Sequence, residues 1–72
     1  MMNNNNSKKC YIVYELDQFI NDVKYIKEYN SLKEIEEDYN IQNAWQYKTN
    51  NMDEPKKLLK NKYIILEDNY II

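Results

Sequence analysis

Amide side chains are concentrated between Gln42 and Asn50, and their chemistry suits the edges of DNA bases. Asparagine and glutamine can each form two hydrogen bonds with an adenine edge in the major groove. The alternative is an ordinary polar solvent face, because the whole chain is rich in asparagine. The candidate DNA-contacting residues of this segment are Gln42, Asn43, Gln46, Tyr47, Lys48 and Asn50.

A run of lysines follows in residues 56–62, with no acidic residue among them. Lysine contacts with phosphate supply much of the affinity of a protein for nucleic acid and make that affinity depend on salt. The alternative role is protection of the neighbouring apolar strand against aggregation. We predict phosphate contacts from Lys56, Lys57 and Lys60, and Lys62 closes the run.

An acidic patch comes earlier, formed by Glu34, Glu36, Glu37 and Asp38. A partner protein with a basic groove would be attracted by these carboxylates. The alternative is a solvated helix face whose acids lie near the helix N-terminus, where the helix dipole favours them. The patch is therefore the candidate site for a protein partner.

The residue types most used in catalysis are scarce, since the chain has no histidine and one cysteine, Cys10. General acid–base catalysis usually employs histidine or a pair of buried carboxylates. The run Glu54-Pro55-Lys56 matches the Glu-x-Lys segment of some metal-dependent nucleases, but a proline-containing loop is the wrong setting for it. The acidic patch lacks the glycine turn of a calcium loop. We expect no enzymatic activity, no metal and no cofactor.

Size and composition predict one small soluble domain of 72 residues with a net charge of −2. No apolar run reaches the length of a membrane span, and the N-terminus lacks the apolar core of a signal peptide. A single cysteine suits a reducing compartment, so we expect a cytoplasmic protein. The asparagine-rich residues 1–7 are expected to be disordered, and residues 8–72 to form the domain.

The first helix has the clearest local signals in the chain. Ser31 is a good N-cap, and Glu34 three residues later completes a capping box. Leu32, Ile35 and Tyr39 recur at spacings of three and four, so they share one face. A second helix is predicted from about Asn43. These two helices would form a helix-turn-helix shape, with Trp45 of the second helix in the core.

Strands are predicted on both sides of the helices, over residues 11–16 and 62–66. Residues 17–29 support two interpretations: apolar residues recur with a helical period, yet Asn21-Asp22 could turn a hairpin. We prefer the hairpin. After a turn at residues 67–69, the apolar end Tyr70-Ile71-Ile72 could pair with a second copy and form a homodimer. The expected class is α+β: a β-hairpin, two short helices and a closing strand.

This order of elements resembles the nuclease-associated modular DNA-binding domain of the first type, found beside homing endonucleases in phages and mobile elements. The resemblance implies a helix-turn-helix-like module whose second helix approaches the major groove. It is carried by Tyr14-Glu15-Leu16-Asp17, by the run from Ile26 to Ile35, by Tyr39-Asn40-Ile41 and by Lys62-Tyr63-Ile64-Ile65.

Two principal functions follow as hypotheses. The first is a non-catalytic phage or mobile-element module that binds double-stranded DNA through its second helix and its lysine edge. The alternative is a small inhibitor of a host nuclease or defence complex, similar to an anti-CRISPR protein. It would bind a host protein through the acidic patch and exposed aromatic residues. Self-association through residues 70–72 is a third hypothesis.

Overall fold

The computed structural model describes residues 7–53 and 57–71. These residues form an α+β domain with one α-helix and a short 3-10 turn. The predicted disordered tail at residues 1–7 is wrong at Ser7, which begins the first strand. Residues 1–6 of that tail, the Glu54-Pro55-Lys56 segment and Ile72 lie outside the described residues. The elements are β1 (Ser7–Asp17), β2 (Asp22–Tyr29), α1 (Leu32–Tyr39), the 3-10 turn Ala44–Gln46, β3 (Lys48–Thr49) and β4 (Tyr63–Ile71).

The four strands form one mixed sheet in the order β2-β1-β4-β3. β1 is antiparallel to both of its neighbours, whereas β3 runs parallel to β4. The hairpin interpretation of residues 17–29 is confirmed, because β1 and β2 pair from Tyr11 opposite Tyr29 to Asp17 opposite Asp22. The register shifts once, where Ile26 is an extra residue in β2 and forms a β-bulge.

Helix α1 begins as its local sequence predicts. The Ser31 Oγ accepts a hydrogen bond from the Glu34 amide at 3.3 Å. The Glu34 carboxylate accepts one from the Asn30 amide at 2.9 Å, one residue earlier than in a standard capping box. Asn40 ends the helix at φ 55°, a left-handed conformation that asparagine tolerates. Ile35 is fully buried on the predicted apolar face.

The predicted second helix is wrong, and with it the two-helix fold. Residues 44–46 make only a 3-10 turn. Asn43 is left-handed at φ 57°, and the Ala44 amide donates a hydrogen bond to the Glu36 carboxylate at 2.9 Å. The chain then enters β3, so it has no room for a second helical turn. Ala44 is buried, but Trp45 is 64% exposed and lies outside the core.

The predicted turn at residues 67–69 is also wrong, because β4 continues through them to Ile71. β1 starts at Ser7 and offers β4 a partner over this length, with Cys10 opposite Asp68. Backbone pairing with a neighbouring strand therefore overrides the turn preference of the polar residues. Tyr70 and Ile71, predicted to reach a second copy, pair on one side with Lys8 and Ser7 of their own chain. Self-association through this segment stays a prediction.

The core lies between the sheet and α1. It consists of Val13, Tyr29, Ile35, Leu59 and Ile65, with partly buried aromatic residues around it. Tyr39 packs edge-on against Tyr29 and Tyr63, with ring centroids 6.5 and 5.2 Å away. This packing fixes α1 against one end of the β1–β2 hairpin and leaves the other end in solvent.

Candidate functional site

The residues predicted to contact DNA bases do not share a helix face. Gln42, Asn43 and Asn50 are exposed, but they lie in an irregular segment on either side of the 3-10 turn and β3. Gln46 and Tyr47 are half-buried. A rigid helix that inserts its side chains into the major groove is therefore not what this segment forms.

Two of the predicted cationic contacts have partners within the chain. Lys48 is half-buried and lies 3.3 Å from Glu67. Lys57 donates a hydrogen bond to the Gln46 side chain at 3.1 Å, and its ammonium lies 5.0 Å from the centre of the Tyr47 ring. Lys60 is exposed on a tight turn, and Lys56 lies outside the described residues.

Three of the four acids in the acidic patch take part in holding the fold together. Glu34 accepts the amide hydrogen bond that caps α1, and Glu36 accepts the one from Ala44. Asp38 accepts a hydrogen bond from the Tyr29 hydroxyl at 3.0 Å and lies 3.6 Å from Lys27. Glu37 is exposed and has no ion pair or hydrogen bond to a described residue. The patch thus resembles the solvated helix face of the alternative interpretation more than a dedicated docking site.

Most exposed large hydrophobic residues of the described chain lie on the β1–β2 hairpin, which was not predicted as a site. Five of the six exposed large hydrophobic residues in the described chain lie there, and the sixth is Trp45. Phe19 at the tip is fully exposed, at 101% of its reference area. We call this surface the hairpin patch; it consists of Phe19, Ile20, Val23, Tyr25 and Ile26.

Edge position explains why the hairpin patch is exposed. β2 is the outermost strand, and all of its residues except Tyr29 are exposed. Val23 and Tyr25 alternate along the strand, so they lie on one face, opposite Leu16 and Tyr14 of β1. Tyr14 and Tyr25 pack edge-on, with ring centroids 6.2 Å apart.

Hydrogen bonds hold the tip in place. The Asp17 carboxylate accepts a hydrogen bond from the Phe19 amide at 3.0 Å. The Gln18 side chain donates to the Asn61 carbonyl at 3.1 Å, and the Leu16 amide donates to the Lys62 carbonyl at 2.7 Å. An open groove of about 720 Å³ runs beside the tip, and Leu16, Phe19, Ile20 and Val23 form part of its wall. The tip is thus a tethered turn that presents apolar side chains.

A local signal for this surface is present in the sequence. Turns normally consist of Gly, Pro, Asn, Asp or Ser, so an adjacent Phe19-Ile20 pair inside a four-residue turn is unusual. Phe19 and Ile20 also fit a helical period, which masks this signal. Exposed aromatic residues in turns commonly serve binding rather than folding.

Charges around the tip are unevenly paired. Asp17 lies directly opposite Asp22 across the hairpin, a like-charge arrangement that is unfavourable. Lys24 lies opposite Glu15, and Glu15 lies 3.8 Å from Lys62. Neither aspartate forms an ion pair with a described residue. The tip is therefore locally acidic, and the nearest cation on β2 is Lys24, two residues after Asp22.

Two buried titratable groups, Cys10 and Tyr29, are held in their neutral forms. Burial, followed by the Glu28 carboxylate, raises the pKa of the Cys10 thiol, which disfavours the reactive thiolate. Burial, followed by the hydrogen bond to Asp38, raises the pKa of the Tyr29 hydroxyl.

Within residues 7–53 and 57–71, no group of three acidic, cysteine or histidine side chains is arranged to hold a metal. No helix in this part of the chain is long and apolar enough to cross a membrane.

Comparison with protein-family models, with curated proteins and with solved structures returned no match for this chain. The resemblance to the modular DNA-binding domain therefore stays a prediction made from the residues alone.

Proposed function

We propose that this protein is a non-catalytic protein-binding module that docks on its partner through the hairpin patch. The single observation that carries the proposal is the concentration of exposed large apolar side chains on one hairpin, with Phe19 at its tip entirely in solvent. Contiguous exposed apolar surface on a small soluble protein commonly marks an interaction site.

Energetics favour burial of these side chains in a complex. Moving a large apolar side chain from water into a contact is worth about 1.5–3 kcal/mol. Phe19 and Ile20 are 101% and 68% exposed, so the folded chain leaves most of this contribution unused. Aromatic residues at the centre of interfaces commonly supply much of the binding energy. Phe19 is accordingly the residue that we assign as the anchor.

The test is capture of partner proteins from a lysate of the encoding organism or its host. Wild-type protein is compared with the double variant Phe19→Ser with Ile20→Ser. The matched control is Trp45→Ser, which removes an exposed aromatic residue away from the hairpin. We expect the hairpin variant to lose a partner that the wild type and the control retain. Equal capture by all three proteins would overturn the proposal.

The narrower hypothesis, an inhibitor of a host nuclease or defence complex, is one form of this proposal. In this form the inhibitor contacts its target through the hairpin and not through the acidic patch, because Glu34, Glu36 and Asp38 already have partners within the chain. Charge reversal at Glu37, the remaining acid, should leave capture unchanged. Loss of partner capture by the Glu37→Lys variant would show that the contact lies on α1 and not on the hairpin.

A second candidate function is phosphate binding by the lysine-rich turn, favoured by the exposure of Lys57 and Lys60 on one short segment. It does not include a recognition helix. Fluorescence anisotropy of a labelled mixed-sequence duplex, measured at low and moderate salt, tests it. Binding that weakens steeply with salt and is lost in Lys57→Glu with Lys60→Glu would support it. Binding equally weakened by Lys33→Glu, on α1, would count against a specific lysine site.

A further inference from the structure

The outer edge of β2 is an exposed strand edge whose charges match those of a second copy of itself. β1 lies on its inner side, and no described strand lies on its outer side. Unpaired backbone groups on an edge strand are the usual template for another strand. We propose that two copies pair antiparallel through this edge, around a twofold axis at Val23, and so join their sheets into one.

Opposite charges meet in this arrangement. With the axis at Val23, Asp22 of each copy lies opposite Lys24 of the other. Both side chains project from the same face, because Asp22 pairs with Asp17 and Lys24 with Glu15 at alternate positions of β1. The two Val23 side chains meet on the opposite face. The interface is self-complementary, as a twofold contact between identical chains requires.

The same contact relieves the unfavourable feature of the isolated hairpin. Asp22 faces Asp17 within its own chain, and it has no ion pair with a described residue. Its Oδ1 accepts a hydrogen bond from the adjacent Val23 amide at 2.9 Å. In the dimer this amide donates to the Val23 carbonyl of the second copy instead, which frees the Asp22 carboxylate to face Lys24. A lysine from the second copy supplies the missing opposite charge.

Neighbouring registers are disfavoured by their charges. An axis at Lys24 would set two lysines against each other, and an axis at Asp22 would do the same with two aspartates. An axis at Tyr25 would place Asp22 opposite Glu28. With the axis at Val23, the paired segment is residues 22–24, because Tyr25 lies opposite Asn21 in the turn of the other copy. An axis at Ile26 would place Lys24 opposite Glu28, but the bulge at Ile26 interrupts the regular strand there. Charge and bulge together select the register at Val23.

The dimer goes beyond the proposed docking function and does not depend on it. A twofold axis perpendicular to the joined sheet keeps Val23 and Tyr25 of both copies on one face. The two hairpin patches then lie side by side, and the turn residues of each copy directly precede its paired residues 22–24. A partner protein would meet a surface contributed by both copies.

Sedimentation equilibrium of the full chain tests the dimer. The mass should rise with concentration from 8.9 kDa towards twice that value. Asp22→Lys alone and Lys24→Asp alone each oppose like charges and should remain monomeric. The double variant Asp22→Lys with Lys24→Asp restores opposite pairs and should dimerise again. The matched control Lys33→Asp changes an exposed charge on α1 and should behave as the wild type.

Thermal unfolding followed by circular dichroism establishes that each variant is folded. A wild type that stays monomeric at every concentration overturns the proposal, as does a dimer that survives both single reversals. If the wild type is monomeric but still captures a protein through Phe19 and Ile20, only the dimer proposal is overturned. If the protein is a dimer but its Phe19 and Ile20 variants capture as well as the wild type, only the docking proposal is overturned.

Discussion

The carboxylate of half-buried Glu67 is held by three partners from distant parts of the chain. Its side chain is 8% exposed, and its carboxylate lies 3.3 Å from Lys48 and 3.6 Å from Lys9. The Tyr11 hydroxyl donates a hydrogen bond to it at 3.4 Å. Burial acts to raise the pKa of the carboxyl. The hydrogen bond and charge of Lys48, with Lys9 and Tyr11, outweigh burial and hold that pKa below its ordinary value of 4.5.

Glu67→Gln should lower the free energy of unfolding at neutral pH by about 1–3 kcal/mol, because Lys48 and Tyr11 lose a charged acceptor. Because the folded-state pKa of Glu67 is depressed, its ionised form contributes stability above pH 4.5. That contribution disappears as the pH falls through the folded-state pKa. Urea unfolding at neutral and acidic pH should show a smaller acid-induced loss in the variant than in the wild type.

Glu37→Gln serves as the control for this prediction, since Glu37 is exposed on α1. It should change neither the stability at neutral pH nor its dependence on pH. If Glu67→Gln matched Glu37→Gln in both respects, the three-partner network would contribute nothing to folding.

Turns in this chain form without glycine, which the sequence lacks. Five described residues have positive φ, and four of them are asparagine: Asn21, Asn40, Asn43 and Asn61. Asparagine is the residue that best tolerates this conformation after glycine. Lys60 is the exception at φ 51°, in the turn where Leu59 and Tyr63 form a β-bridge. Its conformation carries a steric cost that the surrounding turn must offset.

Lys60→Gly should therefore raise the free energy of unfolding by about 1 kcal/mol, since removal of the Cβ relieves the left-handed conformation. Lys60→Ala is the matched control, because it removes the charge but keeps the Cβ. Urea denaturation distinguishes the two variants. Equal stabilities for Gly and Ala at this position would show that the turn stores no strain.

Local signals made α1 predictable, whereas long-range contacts decided the elements that the sequence analysis missed. Ser31 and Glu34 mark the helix start, and Leu32, Ile35 and Tyr39 mark its apolar face, all within nine residues of sequence. The segment from Asn43 could not be assigned correctly, because Glu36 and β4 determine its path. β4 extends past Leu66 only because β1, more than fifty residues earlier, offers it a partner. The hairpin was predictable, but the exposure of its apolar tip depends on β2 being an edge.

At the scale of the whole molecule, the core lies at one end and most exposed large apolar side chains of the described residues lie at the other. The core residues surround α1 and the Tyr29 end of β2, while the hairpin tip contributes exposed apolar area. The net charge of −2 creates no general attraction to nucleic acid. A protein that folds at one end and presents apolar side chains at the other is suited to docking on another protein.

This division predicts that the hairpin patch can be removed without unfolding the chain. Phe19→Ser with Ile20→Ser should change the free energy of unfolding by no more than about 0.5 kcal/mol, because these side chains bury little area. Ile35→Ala, in the core, should lower it by about 2–5 kcal/mol. Urea denaturation gives both values. A large loss in the hairpin variant would mean that the tip supports the fold.

Site-specific photo-cross-linking tests the central claim most directly. The photoreactive residue p-benzoylphenylalanine replaces Phe19 in one protein and Trp45 in a control, both exposed aromatic positions. The proteins are illuminated in a lysate of the encoding organism or its host. If the hairpin patch docks on a partner, position 19 gives a discrete adduct with another protein and position 45 gives none. Adducts of equal yield from both positions, or none from position 19, would contradict docking through the hairpin patch.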